Sequence, residues 1–202
     1  MNISLTLRVF TAFVLVLSAA DLKAESLQQN ELKTASNLID AFYSFDKQKL
    51  DTALTTAESS KPLIIFYQGW AKGGNYEIAK RMPCIQSNAA NKDDSINISC
   101  SITVKDDLMK ALDIPFDVTD TFHLTFHKQV LSNVTTSSND LQVFRDAEKW
   151  VWSQRTGSVE DVCKGYFKGG PTPGECVKAM VNGYAEFANS EDFPKEVIFE
   201  QN

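Results

Sequence analysis

Ser95-Ile-Asn-Ile-Ser-Cys-Ser-Ile-Thr-Val104 alternates apolar and polar side chains without a break, and its reading decides the fold class. Successive side chains of an extended chain point to opposite faces. Ile96, Ile98, Cys100, Ile102 and Val104 therefore share one face, and Asn97, Ser99, Ser101 and Thr103 share the other. Downstream, a second strand is expected from about Asp117 to His127 and a third from about Gln129 to Thr136. Upstream the period changes. Leu32, Ala35, Leu38, Ile39, Phe42 and Phe45 recur at helical spacing, and Leu50, Ala53, Leu54 and Ala57 mark a second, shorter helix. Pro62 opens the apolar run Leu63-Ile-Ile-Phe-Tyr67, which reads as a buried strand bounded by Gly69. Asn75 stands where it would cap a helix through Tyr76, Ile78, Ala79 and Met82, with Pro83 ending it.

Past the strands, Ser138-Asn139-Asp140 supplies capping residues for a helix carrying Leu141, Phe144, Ala147 and Val151. A Gly/Pro-rich turn spans Gly169 to Gly174, and Val177, Met180, Val181, Tyr184 and Ala188 form the apolar stripe of a last helix. Helices first, then antiparallel strands, then helices is an α+β order, with the helices segregated to one face of the sheet.

The N-terminus reads as a targeting segment. Arg8 precedes the apolar run Val9 to Leu17, too short to span a bilayer, and small residues place cleavage after Ala20 or Ala24. The expected organisation is a signal peptide over residues 1–24, an α+β domain over 25–154 and a helical extension over 155–202. Export to a secreted or periplasmic location follows, with no membrane segment after cleavage. Removing the segment takes the net charge from −6 to −7. An acidic chain without a basic cluster argues against nucleic acid and anionic membranes as partners.

All four cysteines lie downstream of that segment, and none forms a CxxC pair. In an oxidising compartment four cysteines suggest two disulfides, with three connectivities open. The local pairing Cys84–Cys100 and Cys163–Cys176 is favoured: Cys100 points into the core, where a helix packed on the sheet would deliver Cys84 from its C-terminal end. No metal-ligand spacing and no cofactor motif is present. Asn97-Ile-Ser99 and Asn133-Val-Thr135 fit the N-glycosylation sequon. Gly69-Trp-Ala-Lys-Gly-Gly74 is echoed by Gly165-Tyr-Phe-Lys-Gly-Gly170, but their flanking residues do not match.

The helix Ala35-Ser-Asn-Leu-Ile-Asp-Ala-Phe-Tyr43 followed by Asp46, the stretch Phe66-Tyr-Gln-Gly-Trp70 and the strands Ile96–Val104 and Val118–Phe126 carry a resemblance. Over residues 30–152 the layout resembles the nuclear transport factor 2-like superfamily, which includes ketosteroid-isomerase-like and polyketide-cyclase-like proteins. The resemblance implies a cone, a curved antiparallel sheet wrapped around the N-terminal helices with an apolar pocket in its concave face. It also implies pairing through the exposed sheet, so a homodimer is an expected partner. Members include isomerases, dehydratases, cyclases and non-catalytic binding domains. The isomerase pattern sets an aspartate base, a tyrosine and a second acid in the pocket, and that set is not matched here residue by residue.

Asp120 shares strand parity with Phe116, Val118, Phe122, Leu124 and Phe126, which points its carboxyl towards their apolar side, where burial would raise its pKa. Its place near the strand's start leaves a wet rim or a bulge as the other reading. His123 and His127 fall on the other face, about 13 Å apart along the strand, too far to hold one ion together. Tyr67, Trp70 and Tyr76, with Phe122 and Phe126, are the expected lining of a pocket for a small apolar ligand. Three functions remain open. The first is an exported, non-catalytic binding or interaction protein. The second is an isomerase-like or dehydratase-like enzyme using Asp120 with Tyr67 or Tyr76 as donor. The third is an exported immunity or inhibitor protein.

Overall fold

The alternating stretch forms β3 (Ser95–Lys105), the longest strand of an open antiparallel sheet. In this computed structural model residues 19–87, 95–163, 174–197 and 199 are described, with side chains from residue 29 onward. The apolar stretch Val9–Leu17, the turn before Gly174 and the second glycine echo at Gly165–Gly170 lie outside the described residues. β3 pairs with β4 (Val118–His127), and β4 with β5 (Val130–Ser138). On the other side of β3 run β1 (Glu77–Arg81) and the two-residue β2 (Ile85–Gln86). Bulges between Ile78 and Lys80 and between Thr125 and Phe126 bend the strands that carry them.

The two faces of the sheet differ as the alternation requires. Ile98, Cys100, Ile102, Val104, Val118, Phe122, Leu124 and Phe126 are buried. The opposite face is a ladder of polar pairs: Ser101 with Thr121 and Thr103 with Thr119, both at 2.9 Å, and Thr125 donating to Asn97 at 2.9 Å. His123 belongs to that ladder, between Ser99 at 3.3 Å and Ser137 at 2.8 Å, and His127 is exposed.

Helices fill the apolar side. α1 (Ala19–Tyr43) buries Ala35, Leu38, Ile39 and Phe42, the stripe expected from its spacing. Asp46 caps α2 (Lys47–Ala53) by accepting from the Gln48 and Lys49 amides at 2.9 and 3.2 Å. Asp106 caps the short α4 (Asp107–Ala111) through the Met109 amide at 2.8 Å.

Two expected elements change type. The run Leu63–Tyr67 is helical, inside α3 (Lys61–Gly73). Five consecutive apolar residues carry no period of their own; the punctuation decides, with proline in the first turn and glycines at the end, which suits a helix thirteen residues long. Conversely, the helix expected from Asn75 is the strand β1. Asn75 adopts a left-handed turn conformation with φ 51°, and its side chain bonds Asp107 instead of capping. Ile78 and Met82, taken as a helical stripe, are exposed, at 45% and 43%.

Beyond β5, α5 (Gln142–Gln154) and α6 (Thr156–Val159) precede α7 (Gly174–Ala188). α7 packs against α3, α4 and α5, and its Cys176, Val177, Met180, Tyr184 and Phe187 join the same apolar core as the sheet. The α5–α7 crossing is tight: a Cβ on Gly183 would stand 2.5 Å from a Val151 methyl.

Both disulfides pair as expected, Cys84–Cys100 with Cα atoms 4.3 Å apart and Cys163–Cys176 at 4.7 Å. Cys84 reaches its partner from the connection between β1 and β2, not from a helix end. Oxidised pairs suit an oxidising compartment. No helix among the described residues is long and apolar enough to cross a membrane.

Candidate functional site

A cavity of about 260 Å³ opens between α3, the start of β4, the end of β5 and α5. Each wall follows from local sequence. β4 keeps unbroken alternation from Val118, so Asp120 faces inward beside Phe122. Helical spacing in α3 sets Phe66, Tyr67, Trp70 and Ala71 along one side of that helix, all lining the cavity. On a strand, Tyr67 and Trp70 would point to opposite sides. Tyr76 enters just past the Gly73-Gly74 break. Its ring packs so close to Gly74 that a Cβ there would stand 3.1 Å from it. Thr136, Ser137, Ser138 and Asp140 supply the polar lip, and Phe144 and Glu148 of α5 complete the wall.

Of the residues expected from sequence, Asp120, Tyr67, Trp70, Tyr76 and Phe122 come together here. Phe126 does not. It lies two inward positions further along β4, is 1% exposed, and belongs to the core, not to the cavity lining.

The donor to Asp120 is neither Tyr67 nor Tyr76 but Tyr43, the last residue of α1, whose hydroxyl donates to Oδ2 at 3.3 Å. Tyr43 is held by edge-on ring contacts with Phe42 at 4.9 Å and Phe122 at 6.3 Å. The end of α1 is fixed in turn by Gln68, buried in α3, whose amide donates to the Ala41 and Phe42 carbonyls at 3.1 and 2.9 Å. Both carbonyls belong to the last turn of α1, where Ala41 also accepts from the Ser44 hydroxyl at 2.7 Å and Phe42 from the Phe45 amide at 3.2 Å.

Burial pushes the Asp120 carboxyl up to about 7, with the Asp140 charge adding to the rise, the Tyr43 hydrogen bond opposing it and Asp106 adding again. Asp140 is also raised by burial, against the Ser138 hydrogen bond and the Arg145 charge. Asp106 stands at about 6, chiefly through burial. The Tyr43 and Tyr76 phenols are pushed well above their ordinary range by burial and by these acids; Tyr76 also bonds Trp70. Near neutrality the site therefore holds a tyrosine that stays protonated and an aspartate close to its midpoint.

Tyr43, Asp140 and Glu148 are among the site residues that sequence reasoning missed. Tyr43 sits beside the apolar stripe of α1, and its partner is 77 residues away. Asp140 reads as a helix cap, yet the residue at the cap position of α5 is Leu141, leaving Asp140 at the cavity. Among the described residues no three histidine, cysteine or acidic side chains gather closely enough to hold a metal ion. Comparison with protein-family models, with curated proteins and with solved structures finds no match.

Proposed function

We propose that the chain is an exported, non-catalytic binding protein that holds a small ligand with an apolar body in the cavity beneath α3. The observation that carries this reading is the cavity itself: partly enclosed, walled by Phe66, Trp70, Tyr76, Phe122 and Phe144, with the carboxyls of Asp120, Asp140 and Glu148 and the hydroxyls of Thr136, Ser137 and Ser138 as its polar groups. Concave sites that combine aromatic walls with convergent polar groups are a usual form of a small-molecule site. Kinship with the nuclear transport factor 2-like superfamily and its cone-shaped sheet is part of the proposal. It is supported by the helices-then-sheet order and by a pocket on the apolar side of the strands. Export is supported by the apolar N-terminal segment and the two disulfides. Pairing of two copies through the outer sheet face belongs to the same family analogy.

The test is to fill the space. Thr136→Phe adds a ring at the lip without adding charge. It is expected to leave the circular dichroism spectrum intact and to weaken small aromatic probes at least about tenfold, one steric clash of roughly 1.4 kcal/mol being enough. Probe binding unchanged by the filled cavity would remove the reading.

One observation favours a second reading, an isomerase-like or dehydratase-like enzyme. The Tyr43 hydroxyl on Asp120 and the nearby Asp140 make an aspartate–tyrosine–acid group, with Asp120 near the working pH of a general acid or base. Asp120→Asn separates the two readings. It abolishes turnover of small ketones or hydroxylated aromatics if the enzyme reading holds, and no turnover by the wild-type chain sinks it.

A further inference from the structure

We propose that the ligand of this cavity is a small organic cation, a substituted ammonium group seated between aromatic faces and carboxylates. The proposal rests on the cavity being a ligand site and names the ligand's chemistry. Of the described side chains that line it, Asp120, Asp140 and Glu148 are acidic, and none is lysine, arginine or histidine. Both histidines lie on the opposite face of the sheet or its exposed end. Arg145, the cation that bears on Asp140, lies outside the lining and donates to Gln142 Oε1 and the Asp140 carbonyl, each at 3.0 Å.

Each ligand class meets these walls differently. An anion would be repelled by the acids. A neutral apolar body would desolvate the acids without compensation. A bare metal ion finds no ligating cluster among the described residues. An alkylated ammonium group satisfies both halves of the lining, since its charge faces the carboxylates and its methyl groups lie on the rings of Trp70, Tyr76 and Phe66. Such a ligand would also favour the ionised form of Asp120, whose burial otherwise favours protonation.

The full chain is titrated calorimetrically with choline, with its neutral carbon isostere 3,3-dimethylbutan-1-ol, and with the anion 3,3-dimethylbutanoate. Choline should bind more tightly than the alcohol by about tenfold or more, the range of a desolvated cation–aromatic contact. The preference should vanish in the Asp120→Asn/Asp140→Asn double variant. If that variant fails to fold, pH decides with the wild-type chain. Asp120 is faced by Tyr43 from α1, Tyr76 before β1, Asp106 before α4 and Asp140 before α5, and it shares the cavity with Glu148 of α5. Lowering the pH from about 8 to about 5 protonates Asp120 and should weaken choline but not the alcohol. A choline affinity flat across that range overturns the proposal. Alcohol or anion bound as tightly as choline also overturns it, while leaving the cavity as a ligand site. Failure of all three probes to bind the folded chain at tens of millimolar overturns both readings.

Discussion

Asp120 links stability to pH with a sign opposite to that of a salt-bridged carboxylate. Its folded pKa of about 7 lies above the ordinary carboxylate value of 3.8, so the folded chain holds a proton that the unfolded chain releases. That contribution is complete below the unfolded value and is lost as pH rises through about 7. Asp106 and Asp140 are shifted in the same direction. Thermal melts of wild type and Asp120→Asn should therefore nearly coincide at pH about 4. They should separate at pH about 8, with the variant the more stable, on the order of 1–3 kcal/mol for a buried polar group no longer forced to ionise. Equal melting points at both pH values would mean that Asp120 is hydrated in the folded state. The direction of this side chain was legible in the sequence because strand parity is a local rule and β4 keeps it from Val118 onward. Its partner was not legible, because nothing near Tyr43 in the chain announces a carboxyl 77 residues later.

At the scale of elements, the sheet was easier to read than the helices that cover it. Strands β3, β4 and β5 carry alternation, caps and turns that agree with one another. α3 and β1 were exchanged because their residues satisfy two periods at once. Leu63–Tyr67 is apolar throughout, and Tyr76–Met82 has apolar residues at helical offsets that are never buried as a stripe. The conformation of α3 matters beyond its own length, since it carries both a cavity wall and Gln68, the clamp on the end of α1. Gln68→Leu keeps the volume and removes the amide, leaving the Ala41 and Phe42 carbonyls with the Ser44 hydroxyl and the Phe45 amide alone. The expected loss is about 0.5–1.5 kcal/mol for each hydrogen bond removed, read in urea unfolding. A second consequence should be weaker holding of Asp120 by Tyr43, read as a further rise in the carboxyl's titration midpoint by NMR. A variant as stable as wild type would show that the clamp is dispensable.

Across the whole molecule, two covalent ties and one shared core hold the layers together. Cys84–Cys100 joins the edge connection to the longest strand, and Cys163–Cys176 joins the residues after α6 to α7. Closing loops of this length is worth on the order of 3 kcal/mol each in the chain-entropy model. The double variants Cys84→Ala/Cys100→Ala and Cys163→Ala/Cys176→Ala should each lose roughly that much in denaturant unfolding without reductant. A loss below about 1 kcal/mol for either would show that the tie adds little to packing. The local pairing was legible from spacing, together with the inward parity of Cys100 on β3. The route by which Cys84 arrives depended on the β1 reading, and so was not.

The same ties carry a consequence for the chain's integrity. Residues 85–99 and 164–175 each lie inside a closed covalent ring. A protease that hydrolyses one peptide bond within either ring yields two polypeptides that remain one molecule. Such a nicked form would migrate as intact protein in electrophoresis until a thiol released the halves, and would keep whatever its unbroken core still binds.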